Sequence, residues 1–389
     1  MRRTLFAPAI SFSMVLLLTG CFPSVDTRQP SQSGQAELST PSSKVSEQKP
    51  VPSHVSKALS EDISVDAEVQ YTDGKYSVYQ GTYRQFTENS LTSIFLKDES
   101  IQARQTLDGS LFGEDVSITT EKQNSLYIAS DYFDFQRLAY NDYTTFITGE
   151  SDYFLDNLSE AYPAKSLSSL NKEEAIQKVA RIVRTLSLPV NEKSLQIYSL
   201  TAKALNRQAT QFMTNEEYQN DLKARGKTLK HKFTSEDEAY LLVYHCQIDG
   251  LPLHFEDYAP PSKDGVAVKG ARVHALVNKN GLIMFQAHGI PQVNPSLRKS
   301  TAIVPLDTAL NAVKNKYRNT ILTGKLKITN ISLSYFPSNI DQKTQSFLLT
   351  PAWEFSTEMK VKISDAKGKQ EALKKGRILI NAVTGEEIR

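Results

Sequence analysis

The sequence closes with the stretch Arg377-Ile-Leu-Ile-Asn-Ala-Val-Thr-Gly-Glu-Glu387, which decides the predicted fold. An apolar run is followed by Thr384 and Gly385, and this order predicts a buried strand that ends in a reverse turn. Gly385 suits that turn because glycine adopts a positive φ without steric cost. The end of the chain therefore predicts the last strand of a sheet.

The sequence upstream of this strand predicts a helix and two further strands, which complete a unit over residues 301–389. Pro305 is well placed at the entry to the helix. An apolar stripe at helical spacing follows, formed by Leu306, Ala309, Leu310, Val313 and Tyr317. The two strands are predicted over Leu326–Tyr335 and Ser346–Phe355, and Trp353, the only tryptophan, is predicted to anchor the core.

A similar order of elements precedes this unit, over residues 166–300. Asn171 and Glu174 match the pattern of a helix capping box, and apolar residues recur after them at helical spacing. Strands are then predicted over Ser194–Leu200, Glu238–Gln247, Ala271–Asn278 and Leu282–Ala287. A helix followed by antiparallel strands thus occurs twice. The sequence predicts an α+β fold with two duplicated units, each an antiparallel sheet packed by a helix.

Three short motifs in these units resemble PepSY-type domains and the related YycI/YycH group of extracytoplasmic regulators. They are Glu173-Glu174-Ala175, Pro351-Ala352-Trp353 and the closing Asn381-Ala382-Val383-Thr384-Gly385-Glu386. Asn381 stands where the PepSY pattern often has aspartate. The resemblance covers residues 303–389 and, more loosely, 170–293. It implies small α+β units and a non-enzymatic role, in which surface contacts modulate a protease, a kinase or another envelope protein.

Residues 61–165 are predicted to form an N-terminal α+β domain. Strict alternation over Ile63–Val69 predicts a half-buried strand, and Asp73-Gly74 predicts a hairpin into the next strand. A short helix is predicted over Glu88–Leu96, and three strands are predicted after it. The segment Asp131–Leu155 is dense in tyrosine and phenylalanine. Two interpretations of it stay open, a helix packed on the sheet and a loop that carries an exposed aromatic patch.

The first residues of the chain predict export. Arg2 and Arg3 precede an apolar stretch that is shorter than the roughly 20 residues needed to span a bilayer, which is typical of a secretory signal peptide. The sequence Leu18-Thr19-Gly20-Cys21 follows and resembles the lipobox of bacterial lipoproteins. The resemblance implies that residues 1–20 are removed by cleavage between Gly20 and Cys21, and that the Cys21 sulfur carries a diacylglyceryl group.

Residues 21–60 are predicted to contain the lipidated cysteine and a disordered linker. The segment is rich in serine, proline, glutamine and lysine and poor in aromatic residues, so it cannot bury enough apolar surface to offset its chain entropy. A flexible coil of this length spans roughly 35 Å. The sequence therefore predicts a protein that lipid anchors to the cell membrane, with its body on the extracytoplasmic face.

The charge balance and the cysteine content exclude further classes of function. The chain has 45 basic and 43 acidic residues, and removal of residues 1–20 deletes two arginines and no acid. The equal numbers of basic and acidic residues that remain predict no electrostatic footprint for nucleic acid or for an anionic lipid surface. Once Cys21 is lipidated, Cys246 has no disulfide partner. Its position in an apolar strand predicts a buried thiol that fills space.

The sequence shows no recognisable pattern for catalysis or metal binding. His245, His254, His274 and His288 lie near Cys246 in sequence, but none of their spacings matches a zinc site. His245 and Cys246 are neighbours on a predicted strand and should face opposite sides of it. No catalytic residue, cofactor site or metal site is therefore predicted.

The expected function is that of a non-catalytic protein-binding or regulatory module of the cell envelope. Such a module presents a sheet face or an open strand edge to its partner, whose identity the sequence leaves unknown. The basic run Lys360–Lys375 is predicted to be a solvated hairpin tip, and the alternative for it is a patch that binds a polyanion. The alternatives are a cell-envelope hydrolase, with a site assembled from distant residues, and a solute-binding lipoprotein with a cleft between two lobes.

Overall fold

A computed structural model of the chain describes residues 51–388 except 72–73, 111–112, 151–157, 215, 217–218, 221–222, 224–231, 259–266, 342–343 and 366–367. The predicted signal peptide, Cys21 and residues 22–50 of the predicted linker lie outside the described residues. The described residues all belong to one unit, which extends over Lys49–Arg389.

The helices of the described residues are α1 (Glu88–Phe95), α2 (Asn141–Glu150), α3 (Leu158–Ala161), α4 (Lys172–Thr185), α5 (Ala202–Met213) and α6 (Leu306–Lys316). The strands of the first half are β1 (His54–Ala58), β2 (Ile63–Gln70), β3 (Tyr76–Tyr83), β4 (Ile101–Ser110), β5 (Gly113–Thr120), β6 (Asn124–Ile128), β7 (Tyr132–Arg137) and β8 (Gln196–Leu200). The strands of the second half are β9 (Ala239–His245), β10 (Gln247–Ile248), β11 (Leu251–Pro252), β12 (Arg272–Asn278), β13 (Gly281–His288), β14 (Pro291–Val293), β15 (Lys299–Thr301), β16 (Leu326–Ser338), β17 (Ser346–Asp365) and β18 (Gly368–Asn381).

The strands form two large sheets and one small pair, β10 with β11. Sheet 1 has the order β1-β2-β16-β17-β3-β14, with β15 beside β3 and β18 beside β17. Sheet 2 has the order β4-β5-β6-β7-β13-β12-β9-β8. Neighbouring strands are antiparallel apart from β2 and β16, which are parallel. The predicted α+β class with antiparallel sheets is confirmed.

The closing strand behaves as its sequence predicts. Ile378, Leu379 and Ile380 of β18 are all buried, because sheet 1 is covered on both faces at this strand. Gly385 has a φ of 78° in the turn that follows. Trp353 on the adjacent β17 is fully buried, and its indole Nε1 donates to the Val304 carbonyl at 3.1 Å. A buried indole N–H needs such a partner.

One hydrophobic core joins the two sheets and receives a helix from each predicted unit. The side chain of Asn171 caps α4 by accepting from the Glu174 amide at 3.1 Å, and α4 packs its apolar stripe against β9 and β12. The matching stripe of α6 lies against β18. The face of sheet 2 that points away from this core is called its outer face below. Helices α2, α3 and α5 form a second apolar cluster on part of that face.

Four features differ from the sequence predictions. The hairpin predicted between β2 and β3 is wrong, because β16 and β17 lie between these two strands in sheet 1. Strand β1 lies inside the span 21–60, so the predicted linker does not extend through residues 54–58. Its five mostly polar residues carry no periodic signal, and the strand is held by pairing with β2 and by His54 contacts to Asp66 and Glu68, at 3.2 and 3.0 Å. The segment Asp131–Leu155, for which two interpretations were open, contains strand β7 and then helix α2. Helix α5 follows β8 in a stretch for which no helix is predicted.

The predicted N-terminal domain contributes to both sheets, since β2 and β3 lie in sheet 1 while β4 to β7 lie in sheet 2. The domain boundaries at residues 165/166 and 300/301 stay predictions. The duplication of PepSY-like units also stays a prediction.

Candidate functional site

The predicted modification site cannot be placed, because Gly20 and Cys21 lie outside the described residues. No helix in the described part of the chain is both long and apolar enough to cross a bilayer.

The structure brings three of the four clustered histidines onto the outer face of sheet 2. Arg272 of β12 pairs with His245 on one side and with His288 on the other, and His274 lies two residues further along the same strand. Since alternate residues of a strand share a face, these four side chains lie on one side of the sheet. His254 lies elsewhere, after β11.

Polar side chains continue from the histidines across five strands. One row runs from β5 to β12 through Ser117, Tyr127, Asp134, Gln286 and His274. A neighbouring row contains Tyr132, His288, Arg272 and His245. Ser125 on β6 pairs with Gln136 on β7 in a further row. We call the polar surface of β5, β6, β7 and β13 the tyrosine face, defined by Ser117, Ser125, Tyr127, Tyr132, Asp134, Gln136 and Gln286. All seven residues are half-buried.

The aromatic rings of the tyrosine face are in mutual contact. The ring centroids of Tyr127 and Tyr132 lie 5.4 Å apart, and the Tyr132 ring stacks on His288 at 4.7 Å with an interplanar angle of 6°. The Tyr127 hydroxyl donates to the Asp115 carboxylate. Burial, followed by this hydrogen bond, raises the pKa of Tyr127 to about 12. The rings form an ordered, uncharged surface with polar tips, a type of surface that is enriched at protein interfaces.

Asp134 places a carboxyl group in the middle of this surface. Its side chain accepts from the Gln136 amide, while its Oδ1 atom is buried without a hydrogen-bond partner among the described residues. Burial raises the pKa of Asp134 to about 6, and the amides of Gln136 and Gln286 oppose this rise only in part. A buried carboxyl without a cation beside it is costly to ionise. The charge of the tyrosine face therefore changes near pH 6.

The segment 253–258, called the seam, runs between the two sheets and contacts the histidine part of the outer face of sheet 2. Its alternate side chains face opposite sheets. Phe255 contacts the ring of His245 at 4.5 Å, and Asp257 accepts from Arg272 at 2.8 Å. These residues face sheet 2, whereas His254 and Glu256 face sheet 1.

Asp257 is held ionised by sheet 2 residues. Burial alone would raise the pKa of Asp257, but the charge and hydrogen bond of Arg272 lower it to about 2. The Gly270 amide also donates to this carboxylate, at 2.9 Å. Gly270 must be glycine, because a Cβ atom there would lie 2.1 Å from the Phe255 carbonyl oxygen.

On the sheet 1 side, the seam meets a buried carboxylate. Glu354 accepts from His254 Nδ1 at 2.8 Å, from Arg377 at 3.1 Å and from the Ser334 hydroxyl. Burial alone would raise the pKa of Glu354, but His254 and then Arg377 lower it to about 2. Ser334 and His254 bind the same carboxylate oxygen. The group therefore differs from a nucleophile–base pair, in which the serine would donate to the histidine.

The three histidines on sheet 2 are held neutral. Burial, with Arg272 and then His245, lowers the pKa of His274 to about 3. Burial likewise lowers the pKa values of His245 and His288. Within the described ranges, no three His, Cys, Asp or Glu side chains are placed to hold a metal ion. A bound cation would also lie beside the charge of Arg272.

Cys246 faces the opposite side of the strand from His245, as predicted. Its side chain is fully buried in the shared core. Burial raises the pKa of the Cys246 thiol to about 12, so the group is a protonated thiol at neutral pH. Cys246 therefore fills space in the core and is not a reactive nucleophile.

Sequence reasoning missed Tyr127, Tyr132 and Asp134 as site residues. For Tyr132 and Asp134, the signal was present in the segment Asp131–Leu155, for which two interpretations stayed open. In Tyr132-Phe-Asp-Phe-Gln136, the tyrosine, aspartate and glutamine alternate with two buried phenylalanines, which is the period of a strand with one polar face.

The sequence matches no protein-family model and no curated protein. The fold is similar to the crystal structure of an uncharacterized protein from Eubacterium rectale ATCC 33656, solved at 1.45 Å resolution. The TM-score is 0.61 at 15% sequence identity, over 87% of this chain and 94% of the other. At this identity the similarity shows a shared fold and nothing about function. The resemblance to PepSY-type regions stays a prediction.

Proposed function

We propose that the protein is a lipid-anchored module of the cell envelope that binds another envelope protein through the tyrosine face and does not catalyse a reaction. The anchor is supported by the Leu18-Thr19-Gly20-Cys21 sequence, which resembles a lipobox. The Glu354 group supports the non-catalytic part, since the carboxylate takes the hydrogen bonds of both Ser334 and His254.

The observation that carries the binding proposal is the group of half-buried rings in mutual contact that Tyr127 and Tyr132 form with the neighbouring His288. Tyrosine rings with fixed orientation lose little conformational entropy on binding and contribute large contact areas, which is why they are frequent among the residues that dominate binding energy. Ser117, Ser125 and Gln136 surround them with hydrogen-bonding groups. The partner is therefore expected to be a folded or extended protein surface with exposed polar and apolar groups and low net charge.

Photo-crosslinking in intact cells tests the proposal. A photoreactive phenylalanine analogue replaces Tyr127 in one variant and Tyr71 in a matched control. Tyr71 is also half-buried but lies beside sheet 1, where it stacks on Trp353 at 5.8 Å. We expect one defined crosslinked envelope protein from position 127 and none from position 71. The absence of a defined product from position 127, or the same product from both positions, would contradict the proposed face.

A further inference from the structure

One end of sheet 1 gathers three chain segments. Ile63 of β2, Leu326 of β16, Met359 of β17 and Lys374 of β18 lie side by side across the sheet. The β1–β2 turn, the loop 317–325 and the base of the β17–β18 hairpin therefore meet at this end. The loop packs closely on the hairpin, because a Cβ atom on Gly324 would lie 2.2 Å from the Lys360 carbonyl oxygen.

Two aliphatic side chains at this end project into solvent. Ile321, in the loop, is 96% exposed, and Leu373, opposite Lys360 in the hairpin, is 50% exposed. A loop tip that exposes nearly a whole isoleucine leaves apolar surface in water without any intramolecular gain. The two side chains come from separate segments, yet the sheet places both at the same end.

The same end is rich in positive charge, although the whole chain is nearly balanced. From residue 308 to residue 340 the sequence contains five lysines and arginines and no acidic residue. Two of the five are paired, Lys316 with Glu387 and Lys327 with Asp66. Lys314, Arg318 and Lys325 are exposed and have no ion pair among the described residues, and the exposed Lys360 and Lys374 lie on the hairpin beside them.

Acidic residues also lie at this end of sheet 1. Glu61 and Asp62 line a groove together with Lys314, Arg318, Thr320 and Leu322, and Glu371, two residues from Leu373 on β18, is exposed. Glu358 lies opposite Lys375 in the β17–β18 pairing. In the loop itself, the exposed Ile321 lies between Arg318 and Lys325 in sequence, and no acidic residue lies between these two.

We infer that this basic end, defined by Arg318, Ile321, Lys325, Lys360, Leu373 and Lys374, docks on the anionic surface of the membrane. Exposed aliphatic side chains enter the headgroup region while lysines and arginines meet lipid phosphates, which is the usual arrangement of a peripheral membrane surface. The inference rests on the proposed lipid anchor, which would hold the body near such a surface. Docking there would fix the orientation of the body, and hence the direction in which the tyrosine face points.

Vesicle binding of the lipid-free protein tests this surface separately from the anchor. The probe is the chain from residue 21 with Cys21→Ser, mixed with vesicles of phosphatidylglycerol and phosphatidylcholine in equal parts, or of phosphatidylcholine alone. We expect binding to the anionic vesicles only. The pair Arg318→Glu and Lys325→Glu should weaken it by about tenfold or more, since each cation near an anionic surface contributes about fivefold. The pair Ile321→Ser and Leu373→Ser should also weaken it.

The matched controls lie at the other end of sheet 1. Leu297 is 51% exposed and lies near Asn294, whose backbone amide donates to the Gln80 carbonyl on β3. Gln80 pairs with Leu348 of β17, which is eleven residues away from Met359 at the basic end. Leu297→Ser and Lys299→Glu should leave vesicle binding unchanged. The inference is overturned if the anionic vesicles are not bound, if neutral vesicles bind equally, or if the controls weaken binding as much as the basic-end variants. None of these results would bear on the anchor, which is tested by the location of the Cys21→Ser protein in cells.

Discussion

The tyrosine face of sheet 2 and the basic end of sheet 1 are two surfaces of opposite physical character. The first consists of half-buried rings in contact with one another and a carboxyl group that burial keeps largely protonated below pH 6. The second consists of aliphatic and cationic side chains that stand free in solvent. Contacts of the first kind act over short range and need a complementary shape, whereas contacts of the second kind act over a Debye length and need only opposite charge. The difference favours a protein partner for the face and a lipid surface for the end.

The largest effect is expected from Cys21→Ser, which separates the anchor from both surfaces. Two acyl chains bind a bilayer far more strongly than a few exposed side chains can, at about 0.8 kcal/mol per buried methylene. The membrane-bound fraction in cell lysates should fall on the order of a hundredfold, as measured by sedimentation and immunoblotting. Wild-type levels in the membrane fraction would contradict the anchor.

The second largest effect is expected on stability, at the contact between the seam and sheet 1. Glu354→Gln removes the buried carboxylate that Arg377, His254 and Ser334 all contact, and it should lower the free energy of unfolding by about 3 kcal/mol, because hydrogen bonds to a charged acceptor are stronger than those to a neutral amide. Chemical denaturation measures this change. Glu371→Gln, at an exposed position of β18, is the control and should change stability by less than about 0.5 kcal/mol.

The third effect tests the electrostatics of the tyrosine face. The pKa of Asp134 in the folded protein, about 6, lies above the ordinary aspartate value of 3.8, so the folded protein holds a proton that the unfolded chain releases between about pH 4 and pH 6. This group therefore reduces stability as the pH rises through that window. Asp134→Asn should raise the free energy of unfolding at pH 7 by about 2 to 3 kcal/mol, with no gain at pH 4. An equal gain at both pH values would refute the assignment, and Glu121→Gln, in an exposed turn, serves as the control.

The smallest effect is expected from salt on the crosslink at position 127. Raising the salt concentration from about 0.1 to about 0.5 M shortens the Debye length by roughly half. The yield of the crosslinked product, measured on isolated membranes, should change by less than about twofold, while vesicle binding of the lipid-free protein should be largely lost. A crosslink as sensitive to salt as vesicle binding would mean that the two surfaces do not differ as argued.

Much of the fold could be predicted from the sequence because its strongest signals are local. The stripe of α4, its Asn171 cap, the alternation of β2 and the turn at Gly385 each require only a few neighbouring residues. The α+β class follows from them. The order of strands could not be predicted, because β2 pairs in parallel with β16, more than 250 residues away, and no local pattern records that contact.

Less of the candidate site could be predicted from the sequence, because its residues are also brought together by contacts that leave no local pattern. The sequence shows that His245, His274 and His288 lie near one another along the chain. Their environment depends on Arg272 and on the seam, which only the fold brings together. Tyr127 and Tyr132 lie on different strands, and nothing in either strand alone indicates that their rings are in contact. The alternation of polar and apolar residues in β7 indicated a strand, but the many aromatic residues of the same segment also fitted a helix or a loop.

The most direct test of the proposed function asks whether the rings themselves hold the partner. A photoreactive probe at Ser125 is combined with Tyr127→Ala and Tyr132→Ala, and, as the control, with Tyr71→Ala. Denaturation curves establish that each variant is folded. We predict that the crosslinked envelope protein is lost by about tenfold or more in the double variant, since each interface tyrosine contributes on the order of 1 kcal/mol or more, and is retained in the control. An unchanged crosslink in a folded double variant would contradict the tyrosine face as the binding surface.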